Sequence, residues 1–509
     1  MRLNLVLLLL MAVVIKLQNA EAQANHPMRL EFPVLTGQIP FTVIPIGPKG
    51  LLLIYKTIDE KTGAKQKWIF SQYDVNFKKG WTQEYVPESE CVFKKDELQN
   101  GLLNLLFTPI DRKGNNPIYA LISIDISKGS MKTQKGVLPE KSTFSCMEFF
   151  GSSFLMAFTN GDKKAQLVIV DMKTGNSNTI IPEESGKSIA KEILLDSLKK
   201  TFSFVYELFP SKKESVFCIL NLDFKLNSLS KNMIDFSAEG KRLVSLKLHS
   251  RDTINTVLIG SYTSDIDADF DKSRSNSVET TGMFTGLLKK NVIADINFYN
   301  FMDFKSFYKR FRANEVIVPK TGDNKTTSSN YLLTLHEPFQ VMNNSVLLAE
   351  AYYPEYHTVT NWTYDYYGHM IPMTTSVFDG YRYNTAFIAG IDSLGKMQWN
   401  NSMEFTNILT LDLAKRISVI RDGQNLILSY NVDGKIVSKV ISGNESLTSL
   451  EYTPVELLYN ADKLLSDEES KIAYWYDNYM ICYGLQEIKN SSKAESRRTV
   501  FYLNKIAFR

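Results

Sequence analysis

Phe154-Leu155-Met156-Ala157-Phe158-Thr159, then Leu167-Val168-Ile169-Val170-Asp171, then Gly175: an apolar strand, a turn, a second apolar strand that runs into Asp, and a nearby Gly. The same unit surrounds this one on both sides. Strongly apolar second strands recur at Leu51–Lys56, Leu102–Thr108, Phe202–Leu208, Thr256–Tyr262, Ser345–Tyr352, Asn425–Tyr430 and Tyr479–Tyr483. Third strands run into Tyr73-Asp74, Ile124-Asp125, Leu222-Asp223 and Ile391-Asp392, and Gly80, Gly129 and Gly395 follow three of these. Asp can bond its own backbone two residues on and Gly tolerates positive φ, so both fit a hairpin between strands three and four. The Asp series therefore reads as structural and not catalytic. From Asp74 to Asp223 the repeat is about fifty residues, the length of a four-stranded propeller blade.

The units place blade 1 at Phe41–Pro87, blade 2 at Cys91–Pro139, blade 3 at Phe144–Pro182 and blade 4 at Ala190–Phe236. Blades 5, 6 and 7 follow at Leu243–Phe304, Tyr331–Phe405 and Lys415–Leu458. The last unit, Lys471–Arg509, offers three strands, and Met28–Leu35 is the natural fourth. Pairing the two chain ends would close the ring and remove an exposed edge. The fold predicted is all-β, a β-propeller of eight blades, with seven as the alternative count. A different partition would be two all-β domains split near 312–330. Helix is expected only at Asp303–Arg312, where Phe304, Phe307, Tyr308 and Phe311 share one face and lysines and arginines the other.

Residues 1–22 read as a secretory signal peptide: Met1-Arg2, an apolar run over Leu5–Ile15 too short to span a bilayer as a helix, and Ala20-Glu21-Ala22 as a cleavage pattern. The rest, 23–509, is expected to form one propeller, periplasmic or extracellular. The chain has 44% apolar and 22% charged residues, 12% aromatics and a net charge of +3. That composition is globular, and with no dense basic block nothing points to nucleic acid. No later stretch is apolar enough to cross a membrane. Cys91, Cys146, Cys218 and Cys482 allow three disulfide pairings or stand as buried thiols on strands. Asn-x-Ser/Thr sites begin at Asn324, Asn343, Asn361, Asn400, Asn444 and Asn490.

Three insertions interrupt the rhythm, at 264–281, 305–330 and 354–382. Connections between strands two and three, and between blades, share one face of a propeller, so all three should crowd together over blades 5 and 6. The first insertion carries Asp265, Asp267, Asp269 and Asp271. Calcium needs such clustered oxygens, but as an EF-hand loop the sixth position is Phe270 and the twelfth Asn276, so a solvated acidic loop competes with a loose calcium site. The third brings Tyr352, Tyr353, Tyr356, Trp362, Tyr364, Tyr366 and Tyr367 together with His357, Asp365, His369 and Asp379. Flat rings suit sugars or a partner's side chains, or they pack the insertion onto blade 6. No G-x-S-x-G elbow, H-E-x-x-H, P-loop or Rossmann fingerprint is present, and five scattered histidines make no confident metal site. Asp365 and Asp379 are the first carboxylates to consider for glycan hydrolysis.

The second half also resembles a family of secreted Bacteroidota proteins without an assigned activity. The resemblance lies in Gly260-Ser261-Tyr262, Thr281-Gly282-Met283-Phe284, Phe298-Tyr299-Asn300-Phe301, Glu350-Ala351-Tyr352-Tyr353-Pro354, Tyr367-Gly368 and Val377-Phe378-Asp379-Gly380-Tyr381. It continues through Trp399-Asn400-Asn401-Ser402, Tyr474-Trp475-Tyr476-Asp477-Asn478-Tyr479 and Phe501-Tyr502-Leu503-Asn504-Lys505. It spans about 240–509 and implies an exported bacterial protein; the acidic run at Asp265–Asp271 is not part of it. The leading expectation is a non-enzymatic binding or scaffold protein of the envelope that meets a glycan or protein with the insertion-bearing face. A glycan hydrolase and a structural component of an envelope assembly are the alternatives.

Overall fold

The computed structural model describes residues 24–34, 41–58, 66–110, 118–139, 141–196, 198–211, 214–223, 225–252, 255–264, 278–289, 292–304, 332–364, 366–490 and 496–508. These form eight antiparallel sheets and three short 3-10 turns. Six sheets have four strands; two gain a fifth because one blade strand is split in two. Blade 1 spans Phe41–Tyr85, blade 2 Cys91–Val137, blade 3 Thr143–Ile180 and blade 4 Lys187–Ile234. Blades 5, 6 and 7 span Arg242–Asn300, Leu332–Thr410 and Ser418–Pro454. The eighth joins Asp462–Tyr476, Tyr479–Asn490 and Arg497–Phe508 to an outer strand from the other chain end, Ala24–Pro33.

The core decides between seven and eight blades. Among the described residues there are eight apolar clusters, and each is shared by two successive sheets. The one that joins last to first sets Val43, Leu51 and Leu53 against Trp475, Ile481 and Phe501. This explains why the second strands read as unbroken apolar runs. Side chains alternate across a strand, and here both faces are covered: Leu51 and Leu53 pack against blade 8, Leu52 and Ile54 against blade 2. In the same way Met156 faces blade 2 and Leu155 and Ala157 face blade 4.

The closure is a direct antiparallel pairing, with Met28 opposite Lys505, Leu30 opposite Leu503 and Phe32 opposite Phe501. Trp475 Nε1 donates to the Gly50 carbonyl at 2.7 Å, and Phe41 stacks on Phe501 at 4.4 Å, which sews blade 8 to blade 1. Arg29 lies inside the seam, 5% exposed.

The Asp residues that end the third strands cap turns. Asp171 Oδ1 accepts from the amides of Lys173 and Thr174, Asp223 from Lys225 and Asn227, and Asp392 from Leu394 and Lys396, all at 2.7–2.9 Å. Gly175 takes the left-handed conformation, φ +80°. In blade 1 that role falls to Phe77 (φ 58°) and not to Gly80, which already lies within the fourth strand, Lys79–Tyr85. All four cysteines sit on strands as free thiols. Asp303 closes a 3-10 turn, Phe301–Asp303, whose Phe301 and Phe304 pack on Phe387; the expected helix beyond Phe304 lies outside the described residues. So do the leader at 1–22, Leu35, residues 265–277 of the first insertion and the whole of the second.

Candidate binding surface

The third insertion is not a loop. Strands two and three of blade 6 simply continue, over Asn344–Tyr364 and Met370–Ile391, as one hairpin. The first strand of the blade pairs only as far as Leu332–Tyr352, and the fourth only as far as Tyr381–Thr410. Past those points, among the described residues, 355–364 and 370–380 pair solely with each other, a ribbon of two strands with both edges and both faces open. Ten residues a strand make it about 30 Å long. Threonine, valine and aromatic residues, which favour strands, explain why this segment extends instead of coiling.

Its root is fixed firmly. Arg382 grips the Glu355 carboxylate with Nε and Nη2, holding that carboxyl below its usual range. Asp379 is the extra residue of a bulge between the pairs Glu355–Gly380 and Tyr356–Phe378. Gly380 sits at φ +146°, and a Cβ there would meet the Thr410 carbonyl at 2.7 Å. The bulge turns Asp379 toward His357, with Oδ1 2.5 Å from Nδ1.

The sequence-predicted rings are placed unequally. Tyr352 is core, 2% exposed between Tyr381 and Tyr383. Tyr353 is partly exposed, and Tyr356 lies against Phe378 across the ribbon, ring centroids 5.4 Å apart. Trp362, Tyr364, Tyr366 and Tyr367 are 63%, 69%, 96% and 81% exposed, so these rings do not pack the insertion onto blade 6. Register puts Trp362 and Tyr364 on the face of Tyr356, opposite Pro372 and Met370. His369 also lies near the exposed tip, beside Tyr367. Asp365 lies outside the described residues, as do Asp265, Asp267, Asp269 and Asp271 with the calcium expectation attached to them. Among the described residues no cluster of three or more His, Cys, Asp or Glu could hold a metal ion. From Tyr356 to Phe378 the chain has one formally charged residue, Asp365. Exposed strands are ordinarily guarded by lysine or other charge, and an isolated two-stranded ribbon is marginal in water.

A second polar site was not visible in the sequence. The first strands of blades 2, 3, 4 and 5 touch in succession, as do those of blades 7, 8 and 1, and so line the inside of the ring. Bulges recur early in these strands, at Lys94, Ser145, Lys191 and Val244. Beyond them, charged side chains meet across blades. Lys95 bonds Glu148; Lys247 bonds Glu192 of blade 4 and, at 2.7 Å, Glu337 of blade 6. Burial pushes the Glu192 carboxyl up to about 7 against the pull of Lys247, although a quarter of its side chain remains exposed. Burial would lower the Lys247 ammonium, but the two carboxylates hold it above its ordinary range. A charged residue recurring one or three places past the bulge was the available sequence signal.

Beside this row lies a cavity of about 330 Å³. Its walls come from the first strands of blades 4, 5 and 6, and they include Tyr352, at the root of the ribbon. The strands alternate in direction, so the turn between strands two and three of blade 6, which the ribbon extends, lies at the same end of the ring as the entry to each first strand.

No family model matches the chain, and no curated protein matches it. Among solved structures it is similar to Saccharomyces cerevisiae Sqt1, with 10% identity over 96% of this chain and 100% of that one and a TM-score of 0.43. It is also similar to the polysaccharide lyase Uly1, with 10% identity over 95% and 99% and a TM-score of 0.37. The β-propeller domain of the trilobed protease from Pyrococcus furiosus matches with 9% identity over 81% and 93% and a TM-score of 0.33. The propeller architecture here stands on the chain's own sheets and shared cores.

Proposed function

We propose that this is an exported, non-enzymatic binding protein of a bacterial envelope, and that the blade 6 ribbon is its docking arm for a protein partner. The observation that carries this reading is the ribbon itself: about 30 Å of paired strand, open on both faces and both edges, with aromatic tips and one charge in 23 residues. Exposed Trp and Tyr are the residues that dominate protein interfaces. An open edge lends itself to strand addition, in which main-chain hydrogen bonds supply affinity. A protein is favoured over a glycan because the rings are interleaved with Met370, Ile371, Met373 and Val377, and between Tyr356 and Phe378 only Asn361 and Asp365 offer the amide or carboxylate groups that fix sugar hydroxyls. Export rests on the leader pattern at 1–22 and on the resemblance to secreted Bacteroidota proteins.

The test is site-specific photocrosslinking in the producing cells. A benzoylphenylalanine at position 362 or 364 should give one discrete protein adduct, and the same group at Leu229, exposed on the outer strand of blade 4, should not. Absence of a protein adduct at either ribbon position, or glycan binding abolished by Trp362→Ala, would overturn the reading.

A further inference from the structure

The cavity at the foot of the ribbon has a chemistry of its own, separate from the docking arm. Two ionic triads flank it. Lys191 bonds Glu207 at 2.7 Å, and Arg242 bonds the same carboxylate at 3.3 Å; Glu207 is 1% exposed. Lys247 bonds Glu192 and Glu337. The first triad carries a net charge of +1, and Lys415, 3.9 Å from Glu337, brings the second to zero, so each charge already has its counter-charge. An ionic ligand would have to break one of these pairs to make its own, leaving a buried charge alone, which is costly.

An apolar ligand fits no better. Ser245, Ser261, Thr280 and Thr334 present hydroxyls to the same space, and Ser245 and Ser261 bond each other at 2.6 Å. Covering the Glu192–Lys247 ion pair, which also lines the cavity, with hydrocarbon would take two charges out of water. Leu335 and Val278 supply the complementary apolar wall. What satisfies all of this is an uncharged molecule with hydroxyls set around an apolar frame. The volume is at the small end of ligand sites, enough for one or two rings.

We infer that this cavity is a binding site for a neutral saccharide, whose vicinal hydroxyls donate to Glu192 and accept from Lys247 while its ring carbons lie on Leu335 and Val278. A paired carboxylate and ammonium offer an acceptor and a donor side by side without favouring a charged ligand.

The experiment uses the full chain and saturation-transfer NMR with titration calorimetry. The probes are the methyl glycosides of glucose, galactose and mannose, and N-acetylglucosamine, with glucuronate and glucosamine as charged controls. At least one neutral sugar should bind and the charged ones should not. Thr334→Trp, which fills the half-buried edge of the cavity, should weaken binding at least about tenfold. Glu192→Gln, nearly isosteric, should also weaken it, while Leu229→Ala on the outer strand of blade 4 should leave it unchanged. The proposal fails if no neutral sugar binds up to about 10 mM, if the charged controls bind as well as the neutral sugars, or if binding survives both cavity variants. Should Thr334→Trp unfold by circular dichroism, Glu192→Gln alone decides. Because the ribbon test reads protein adducts and this one reads sugar binding, either can fail without the other.

Discussion

Arg29 holds the two chain ends together, and its removal should open the ring at one place. Its guanidinium bonds Glu31 at 2.8 Å, Gln486 at 2.8 Å, and the Asn504 side chain and Glu456 carbonyl at 3.0 Å each, and it lies over the Tyr502 ring at 4.7 Å. Breaking a buried ion pair from one side costs about 3–5 kcal/mol. Glu31 keeps a second partner in Arg498 at 3.1 Å, so Arg29→Ala should fall near the low end, about 3 kcal/mol. If the seam opens ahead of the rest, that loss appears in the local opening equilibrium. Amide exchange in 497–508, the strand that the N-terminal strand covers, should then accelerate about a hundredfold, at roughly 1.4 kcal/mol per decade. Exchange in the second strand of blade 4, Thr201–Phe209, should stay as it was. Spread over the whole chain, the same loss would lower Tm by only about 3 °C, so hydrogen exchange with mass spectrometry is the sharper assay. Equal acceleration in both segments, or none in 497–508, would refute the idea that the closure is a separate seam.

Three further outcomes are expected. Replacing 356–378 by a two-residue turn should change Tm by less than about 2 °C, because nearly all of the residues removed are exposed; a larger fall, read by calorimetry, would mean that the ribbon supports the ring. The thiols should be inert to a disulfide reagent at pH 8 in the native state and all four reactive in denaturant, since burial pushes Cys91 and Cys218 up to about 11 and Cys146 up to about 12. Burial likewise raises the Asp467 carboxyl from 3.8 to about 6, despite its 2.6 Å bond from the Gly434 amide. A raised carboxyl favours the protonated fold, so this stability is complete below pH 4 and lost as pH rises through 6. Relative to Asp467→Asn, the wild type should lose up to about 3 kcal/mol between pH 4 and 7.5 in urea titrations.

The ring was legible in the sequence because burial on both faces forces each second strand into an unbroken apolar run, and because the Asp that caps the following turn recurs at a fixed interval. The closure was legible by subtraction: the last unit lacked a strand and Met28–Leu35 was unassigned. The ribbon was not, because alternation distinguishes a buried face from a solvated one only when the solvated face is charged. In Tyr356–Phe378 both faces carry uncharged strand-formers, so packing and recognition look alike as sequence. The cavity was hidden for another reason: Glu192, Lys247 and Glu337 come from three different blades, the first two just past bulges and the third between the halves of a split strand.

No blade owns its core. Leu51 and Leu52 are neighbours in sequence, yet one belongs to the cluster shared with blade 8 and the other to that shared with blade 2. An open repeat array can end on a capping unit with a polar outer face; a ring has no such place to stop. Cutting the chain between any two blades therefore leaves two bare apolar walls, and a fragment of four blades is an aggregate and not half a protein. Nature can shorten or lengthen this architecture only by changes that keep the circle whole.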